Sequence, residues 1–441
     1  MPFSHVRGVS ANRRMLQCSC ILIALSTGLC ASTALSAFAQ VIDASRMATL
    51  TLDQAIRKAI TASPKVQAAA FGIEAAAGTE VQAGLHPNPE ASLGVENLPS
   101  VGPGNSVAYT ETTLGVSQLF EMGGKRQARL AVAGAGRQAA ESDAHVARLD
   151  LIRDVTLAYD TAIGAQQSLE MARDLEAAAN EVLGDVTKRV NAARDPLYQK
   201  DKAQAAYESA AVVRQNAQNA LVAALQKLAR FWAEPTVSDR LSGDGPRSAD
   251  QPQPLAAYEA RLGASPDLDR YRKVLITREA EMRLAEANAV PDITANTGIK
   301  GYAGTSYVAM VAGVSIPIPV FNQNQGEISR AGAEIKKAAQ DLRQAELERS
   351  QELIAAWSQW QSAWAEANAL RDRAIPRAES ALSSVLDGYH RGAFTYLEVL
   401  DAQRTQFDLR NKYIDALTRV RAGRAQTERL APTTQATGDA P

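Results

Sequence analysis

The sequence has no excess of charge of either sign, since 47 Lys and Arg residues oppose 48 Asp and Glu residues in a chain of 441 residues. A nucleic-acid-binding surface needs a basic excess to neutralise phosphates, so this balance argues against nucleic acid as a partner. Aromatic residues make up only 5% of the chain, which is little for a large globular core. Alanine is abundant instead, which favours helices that pack closely against one another.

Cysteine is confined to the first 39 residues, at Cys18, Cys20 and Cys30. This segment joins a positive start to a long apolar run and ends on Ala-Phe-Ala at 37–39, the pattern of a secretory signal peptide. We therefore predict a signal peptide over residues 1–39. A mature chain without cysteine excludes disulfides, thiol catalysis and cysteine-based metal sites. Lipidation of Cys30 is the alternative, which Leu29 disfavours because a small residue normally precedes a lipidated cysteine.

Motifs for catalysis are also lacking, since neither a Gly-x-Ser-x-Gly elbow nor a His-Glu-x-x-His pair occurs. The histidines of the mature chain are too far apart for a local metal-ligand motif: His86, His145 and His390. Gly123-Gly124-Lys125 resembles part of a phosphate loop, but Arg126 replaces the Ser or Thr that would bind magnesium. We predict neither an enzyme nor a cofactor site. The glycines are interpreted as a bend from strand to helix, and the Lys-Arg pair as an interfacial anchor or an ordinary basic helix start.

Short motifs of the first half recur in the second half. Ala-Ser-Pro occurs at 62–64 and 264–266, and Gly-Val-Ser occurs at 115–117 and 313–315. These recurrences predict a tandem duplication in which each copy consists of a helix, a β-hairpin, a long helix and a return helix. The predicted boundaries are a first repeat over 40–230 with a hairpin at about 90–118, a linker over 231–253, a second repeat over 254–430 with a hairpin at about 292–318, and a disordered tail over 431–441.

Long helices are predicted after each hairpin. No proline occurs between Lys125 and about Arg194, and apolar residues recur there at helical spacing. A helix of that length extends roughly 105 Å at about 1.5 Å per residue, more than a compact domain needs. In the second half, apolar residues from Ile328 to Leu342 recur once per heptad, as in a coiled coil. Pro376 should kink or locally open this second helix.

The hairpins have the alternation of a membrane-exposed sheet. In the second hairpin, alternate residues from Val308 to Ile316 form a continuous apolar face, and the residues between them are small or mixed. Each strand is about ten residues long, which suits a tilted transmembrane strand. A soluble hairpin packed on the helices is the alternative; the export signal, the recurrence and the helix lengths favour the membrane. Four strands would leave open sheet edges in lipid, so a barrel must be shared between chains.

The sequence resembles the TolC-like outer-membrane efflux proteins over nearly all of the mature chain. The resemblance rests on LTLDQAIRKAITASP at 50–64, on Pro89 to Leu98, on Glu111 to Arg126, and on PIPVFNQNQG at 317–326. These segments are most similar to the cobalt–zinc–cadmium branch of the family. The resemblance implies a mainly α-helical fold with a small β part, in the outer membrane of a Gram-negative bacterium.

The same resemblance implies a homotrimer whose 12-stranded β-barrel is in contact with outer-membrane lipid above a long periplasmic coiled-coil α-barrel. It further implies a periplasmic adaptor (membrane fusion protein) and an inner-membrane RND pump as partners, with heavy-metal cations as cargo. The alternatives are a drug-efflux or type I secretion duct, or a soluble periplasmic coiled-coil adaptor or scaffold.

Helical turnarounds are expected near 191–198 and 389–396, at the periplasmic end. The family's tip glycine matches Gly392, whereas Ala193 takes its place in the first turnaround. The expected adaptor-contact residues are Ala193, Asp195, Pro196, Leu197 and Gly392.

The resemblance also implies a closed periplasmic aperture at Tyr389, Phe394, Glu398 and Asp401. Phe394 departs from the family pattern, because the better-known duct has an arginine there. From the residues alone, Glu398 and Asp401 project from one helix face and are either an aperture pair or a solvated face with Asp401 paired to Arg404.

Overall fold

The computed structural model describes residues 49–98, 110–237, 240–242 and 251–432. The predicted signal peptide, Cys30 and most of the predicted tail lie outside these residues, as does part of the loop of the first hairpin.

The protein is mainly helical with a small sheet, as predicted. The first half consists of β1 (Thr49–Leu50), α1 (Leu52–Ala62), α2 (Pro64–Ala83), β2 (Glu90–Glu96), β3 (Glu111–Phe120), α3 (Lys125–Asn191), α4 (Leu197–Ala229) and a 3-10 turn (Arg230–Trp232). The second half consists of β4 (Arg240–Leu241), α5 (Leu255–Leu262), α6 (Pro266–Asn288), β5 (Ile293–Tyr302), β6 (Val308–Ser315), α7 (Gln325–Ala369), a π-helical turn (Leu370–Ala374), α8 (Ile375–His390) and α9 (Tyr396–Leu430).

The long helices have the predicted extent. Helix α3 has 67 residues and is therefore about 100 Å long. The π-helical turn separates α7 from α8 directly before Pro376. Proline lacks an N–H and its ring clashes with the carbonyl of the preceding turn, so the extra residue of a π turn accommodates it. The predicted opening of this helix is confirmed.

Two apolar clusters hold the helices together. One surrounds Tyr159 of α3 and Trp232, and the other surrounds Trp360 of α7 and Tyr258 of α5. The Tyr159 hydroxyl lies 2.7 Å from the carbonyl oxygen of Leu50, so this buried ring also anchors the short parallel pair of β1 with β4. None of the helices within the described ranges is both long and apolar enough to cross a membrane.

The two hairpins join into one antiparallel sheet in the order β2-β3-β5-β6. One row of directly paired residues crosses all four strands: Leu93, Leu114, Ile299 and Met310. These four side chains are between 55% and 86% exposed, so this face of the sheet is apolar and uncovered. On the opposite face the Lys300 Nζ lies 2.9 Å from a carboxylate oxygen of Glu96 and also contacts Glu111. The predicted division into an apolar and a mixed face is confirmed.

A bend connects the sheet to α3. Gly123 and Gly124 have φ angles of 69° and 73°, which confirms the predicted turn from strand to helix. The Lys125 Nζ lies 2.7 Å from Asp292 Oδ1, and the Met122 N–H donates to the same oxygen. Because the Lys125 side chain is only 11% exposed, it is neither an interfacial anchor nor a free basic start. It links the end of the first hairpin to the beginning of the second.

Candidate functional site

The two turnarounds have the same backbone. In the first, the Ala193 N–H donates to the Val190 carbonyl and the Arg194 N–H to the Arg189 carbonyl. In the second, the N–H groups of Gly392 and Ala393 donate to the equivalent carbonyls, those of Tyr389 and Gly388. This double bond closes a helix end through one left-handed residue. That residue is Gly392, with φ 78°, or Ala193, with φ 53°.

The turnarounds expose the residues expected to contact an adaptor. Ala193, Pro196, Leu197 and Gly392 are exposed, whereas Asp195 is half-buried. Leu197 is 68% exposed at the first position of α4, which leaves a large apolar side chain uncovered at the tip.

Just inside the tip, the ends of all four long helices share an apolar cluster. Its buried members come from α3, α4, α8 and α9: Val182, Val186, Ala203, Tyr389, Tyr396 and Val399. Tyr389 is only 3% exposed, and its ring centroid lies 6.4 Å from that of Tyr396. Burial raises the pKa of the Tyr389 hydroxyl, and the charge of Asp195 adds to the effect, so the hydroxyl stays protonated. Tyr389 is therefore a packing residue of the closed tip in one protomer.

Phe394 packs locally. Its ring lies against Gly388 so closely that a Cβ at that position would overlap the ring. The side chain remains 42% exposed at the tip. Phe394 thus covers the end of α8 with its own turnaround, and Gly388 provides the space.

Arg189, which sequence reasoning missed, joins the two turnarounds. Its Nε lies 2.7 Å from Asp195 Oδ2 and its Nη2 lies 3.2 Å from Asp195 Oδ1. Its Nη1 donates to the backbone carbonyl of Tyr389 at 3.2 Å, and the guanidinium carbon lies 4.8 Å from the centroid of the Tyr389 ring. No pattern in the sequence signals these contacts with Tyr389, because the partners are two hundred residues apart.

The two expected aperture carboxylates lie at the start of α9 but differ in their contacts. Glu398 accepts hydrogen bonds from the Thr395 N–H at 2.6 Å and the Thr395 hydroxyl at 3.0 Å, which forms a capping box. Asp401 is exposed, and among the described residues no ion pair joins it to Arg404. The solvated-pair alternative of Asp401 with Arg404 is therefore not formed.

Both carboxylates face a groove of about 580 Å³ between α8 and α9. Its other lining residues are small or apolar: Ala378, Ala381, Val385, Leu397, Ala402 and Thr405. Within the described part of the chain, no three His, Cys, Asp or Glu side chains come together as a metal site. The carboxylates are thus available for electrostatic attraction of cations passing by, rather than for a closed coordination shell.

Comparison with known proteins adds a family. The model of the outer membrane efflux protein family matches residues 55–234 and again residues 257–430. The cobalt-zinc-cadmium resistance protein CzcC of Cupriavidus metallidurans is 28% identical over 370 residues, which cover 83% of this chain and 86% of CzcC. The nickel and cobalt resistance protein CnrC of the same organism is 27% identical over 66% of this chain and 69% of CnrC.

The fold itself is found in solved channels. The structure of CusC, described in connection with transmembrane channel formation, superposes with a TM-score of 0.74 at 18% identity. The match covers 86% of this chain and 91% of CusC.

Proposed function

The chain belongs to the outer membrane efflux protein family, and from that premise we propose that three copies form the outer-membrane exit duct of a tripartite RND-type efflux system. The observation that carries this proposal is a sheet with one uncovered apolar face and two open edges, continuous with helices about 100 Å long. The apolar face suits lipid, and the helices are long enough to extend far into the periplasm.

The open edges support assembly from several copies. Strands β2 and β6 each pair on one side only in the described sheet, so their outer N–H and C=O groups need partners. In hydrocarbon each unsatisfied group costs several kcal/mol, which only closure against another chain removes. Three copies of the four-stranded sheet would give the 12-stranded barrel that the family resemblance implies.

The helical tip supports the aperture and adaptor roles. Tyr389 and Phe394 pack within one protomer, whereas Glu398 and Asp401 face the groove on α9. Three copies would bring six carboxylates towards one axis, where they attract cations and repel anions. The exposed turnarounds provide surfaces for a periplasmic adaptor, which would connect the duct to its inner-membrane pump.

Divalent heavy-metal cations are the proposed cargo. The names of the relatives CzcC and CnrC support this choice, and so does the acidic character of the proposed aperture. The runner-up cargo is drugs or a secreted polypeptide, as in other ducts.

Deletion of the gene tests the cargo. The deletion strain should lose tolerance to zinc, cobalt or cadmium and regain it when the wild-type chain is supplied. Copper and drug tolerance are measured beside these metals. Unchanged metal tolerance with increased drug sensitivity would exclude metal cargo and leave the duct intact.

Planar-bilayer conductance tests the aperture. Replacing Glu398 with Gln and Asp401 with Asn removes both charges, and Gln retains the capping box at the third helical position. The double variant should lose part of its cation preference and be blocked less by divalent cations added on the periplasmic side. Glu379→Gln is the matched control, because this carboxylate on α8 is bonded to Arg410 at 2.6 Å. Equal block in the double variant and the wild type would contradict the aperture role.

A further inference from the structure

Arg189 is the residue through which the first turnaround binds the backbone of the second. Its forked contact with Asp195 closes the first turnaround upon itself, since both residues belong to that turn. Its remaining terminal nitrogen reaches the Tyr389 carbonyl, and its guanidinium plane lies over the Tyr389 ring. The first copy of the duplicated fold therefore holds the end of α8 in the second copy.

The contact is built for a guanidinium. The Arg189 side chain is 24% exposed and the Asp195 side chain 10% exposed, so water competes little for their hydrogen bonds. The hydrogen bond with Asp195 raises the pKa of Arg189, which stays charged in any case. A lysine could not form the fork and the carbonyl bond together, because its ammonium group lacks the planar spread of donors.

Movement of the second turnaround would carry the proposed aperture with it. Tyr389 lies in the last turn of α8, and α9 with its two carboxylates begins directly after the turnaround, at Tyr396. A weaker contact supports the same position, since His390 Nε2 lies 3.7 Å from Asp185 Oδ2 on α3. Apart from packing in the tip cluster, these are the polar contacts recorded between the first turnaround region and the end of α8 among the described residues.

We propose that Arg189 is a positioning residue of the aperture: its bonds to Asp195 and to the Tyr389 carbonyl hold the second turnaround in the closed arrangement, and their loss frees it to open. This inference rests on the proposed function as a duct. It differs from the aperture assignment, because Arg189 acts on the position of Tyr389 and α9 and not on the cargo.

The test is conductance of the purified, assembled protein in planar bilayers, with Arg189→Gln compared to wild type. Loss of a charge-assisted bond set should shift a closed–open equilibrium by about tenfold, so the variant should be open much more often. Arg189→Lys, which keeps the charge but not the fork, should give an intermediate result. Lys188→Gln is the matched control, because it removes a positive charge one residue away from a side chain that is 80% exposed. It should behave as wild type.

A second readout separates opening from damage. The variants should show the helical circular-dichroism spectrum and the oligomer size of the wild type, and cells carrying Arg189→Gln should admit a large hydrophilic antibiotic that the wild type excludes. If Arg189→Gln does not assemble, Asp195→Asn decides, since it weakens the same fork from an acceptor in the turn. Equal open probability in wild type and in the assembled variants would overturn the inference. Failure of all variants and of the wild type to conduct would instead overturn the duct.

Discussion

Arg429 should be the most important single charge for the stability of the fold. It lies near the end of α9, where its Nη1 and Nη2 bind the two carboxylate oxygens of Asp267 at 2.7 and 3.1 Å. Its Nε lies 3.0 Å from Asp150 Oδ1. Asp150 belongs to α3 of the first half and Asp267 to the first turn of α6. One guanidinium therefore joins three helices, and its side chain is only 6% exposed.

The substitution Arg429→Met keeps the aliphatic volume and removes the charge. Two carboxylates then remain partly buried without their shared cation, and breaking a buried ion pair from one side costs about 3–5 kcal/mol. Arg419→Met is the matched control on the same helix, because Arg419 pairs with Glu366 at 2.8 Å while their side chains are 56% and 41% exposed. An exposed pair contributes at most about 1 kcal/mol.

Urea denaturation of the detergent-purified protein, followed by circular dichroism, measures both variants under one condition. We expect a much lower midpoint for Arg429→Met than for Arg419→Met. Adding Asp267→Asn to Arg429→Met should restore part of the loss, because it removes one of the two unpaired charges. Equal midpoints for the two single variants would refute the reasoning.

Two further predictions concern the turnarounds and a buried acid. Ala193→Gly should raise the free energy of unfolding by about 0.5–1 kcal/mol in the same urea assay, because Ala193 holds a left-handed φ of 53° that favours glycine. Gly392→Val should impair metal tolerance at normal protein yield, measured by growth and by quantification in membranes; wild-type tolerance would exclude an adaptor contact there. Burial raises the pKa of Asp160, beside Arg421, to about 6. The folded state then binds this proton more tightly than the unfolded state, so its stabilising contribution is complete at low pH and is lost as the pH rises from about 4 to about 6. Asp160→Asn should remove that dependence, amounting to about 3 kcal/mol between pH 4 and pH 7 in urea titrations.

Features set by local chemistry could be predicted from the sequence. The π turn follows from Pro376, the bend from Gly123-Gly124, and the apolar face from the alternation between Val308 and Ile316. Each depends on residues close together in the chain, where proline geometry, left-handed backbone and strand periodicity act directly. The same holds for the two turnarounds, whose positions were expected and are confirmed.

Contacts between the two halves could not be predicted in this way. Lys125 was interpreted from its neighbours alone, yet its ion pair is with Asp292 at the start of the second hairpin. Glu398 was assigned to a row of charges, yet its carboxylate also caps its own helix through Thr395. Charged side chains follow no periodicity that identifies a partner far away in the chain, so the ion pairs that join the halves become apparent only in the folded protein.

The two turnarounds show how one backbone is stabilised by opposite chemistry. Their hydrogen bonds make Arg189 equivalent to Gly388 and Asp195 equivalent to Phe394. In the first copy this pair of positions forms an ion pair, and in the second copy the same pair forms a contact between a ring and a glycine. An apolar contact of that kind uses up its own surface, whereas a guanidinium bound to one carboxylate still has donors left. The polar copy can therefore bind its neighbour as well as itself, which explains why the contact between the turnarounds comes from Arg189. It also explains how the second copy closes without the arginine that the family places at Phe394, since the cation has been supplied from the other half of the chain.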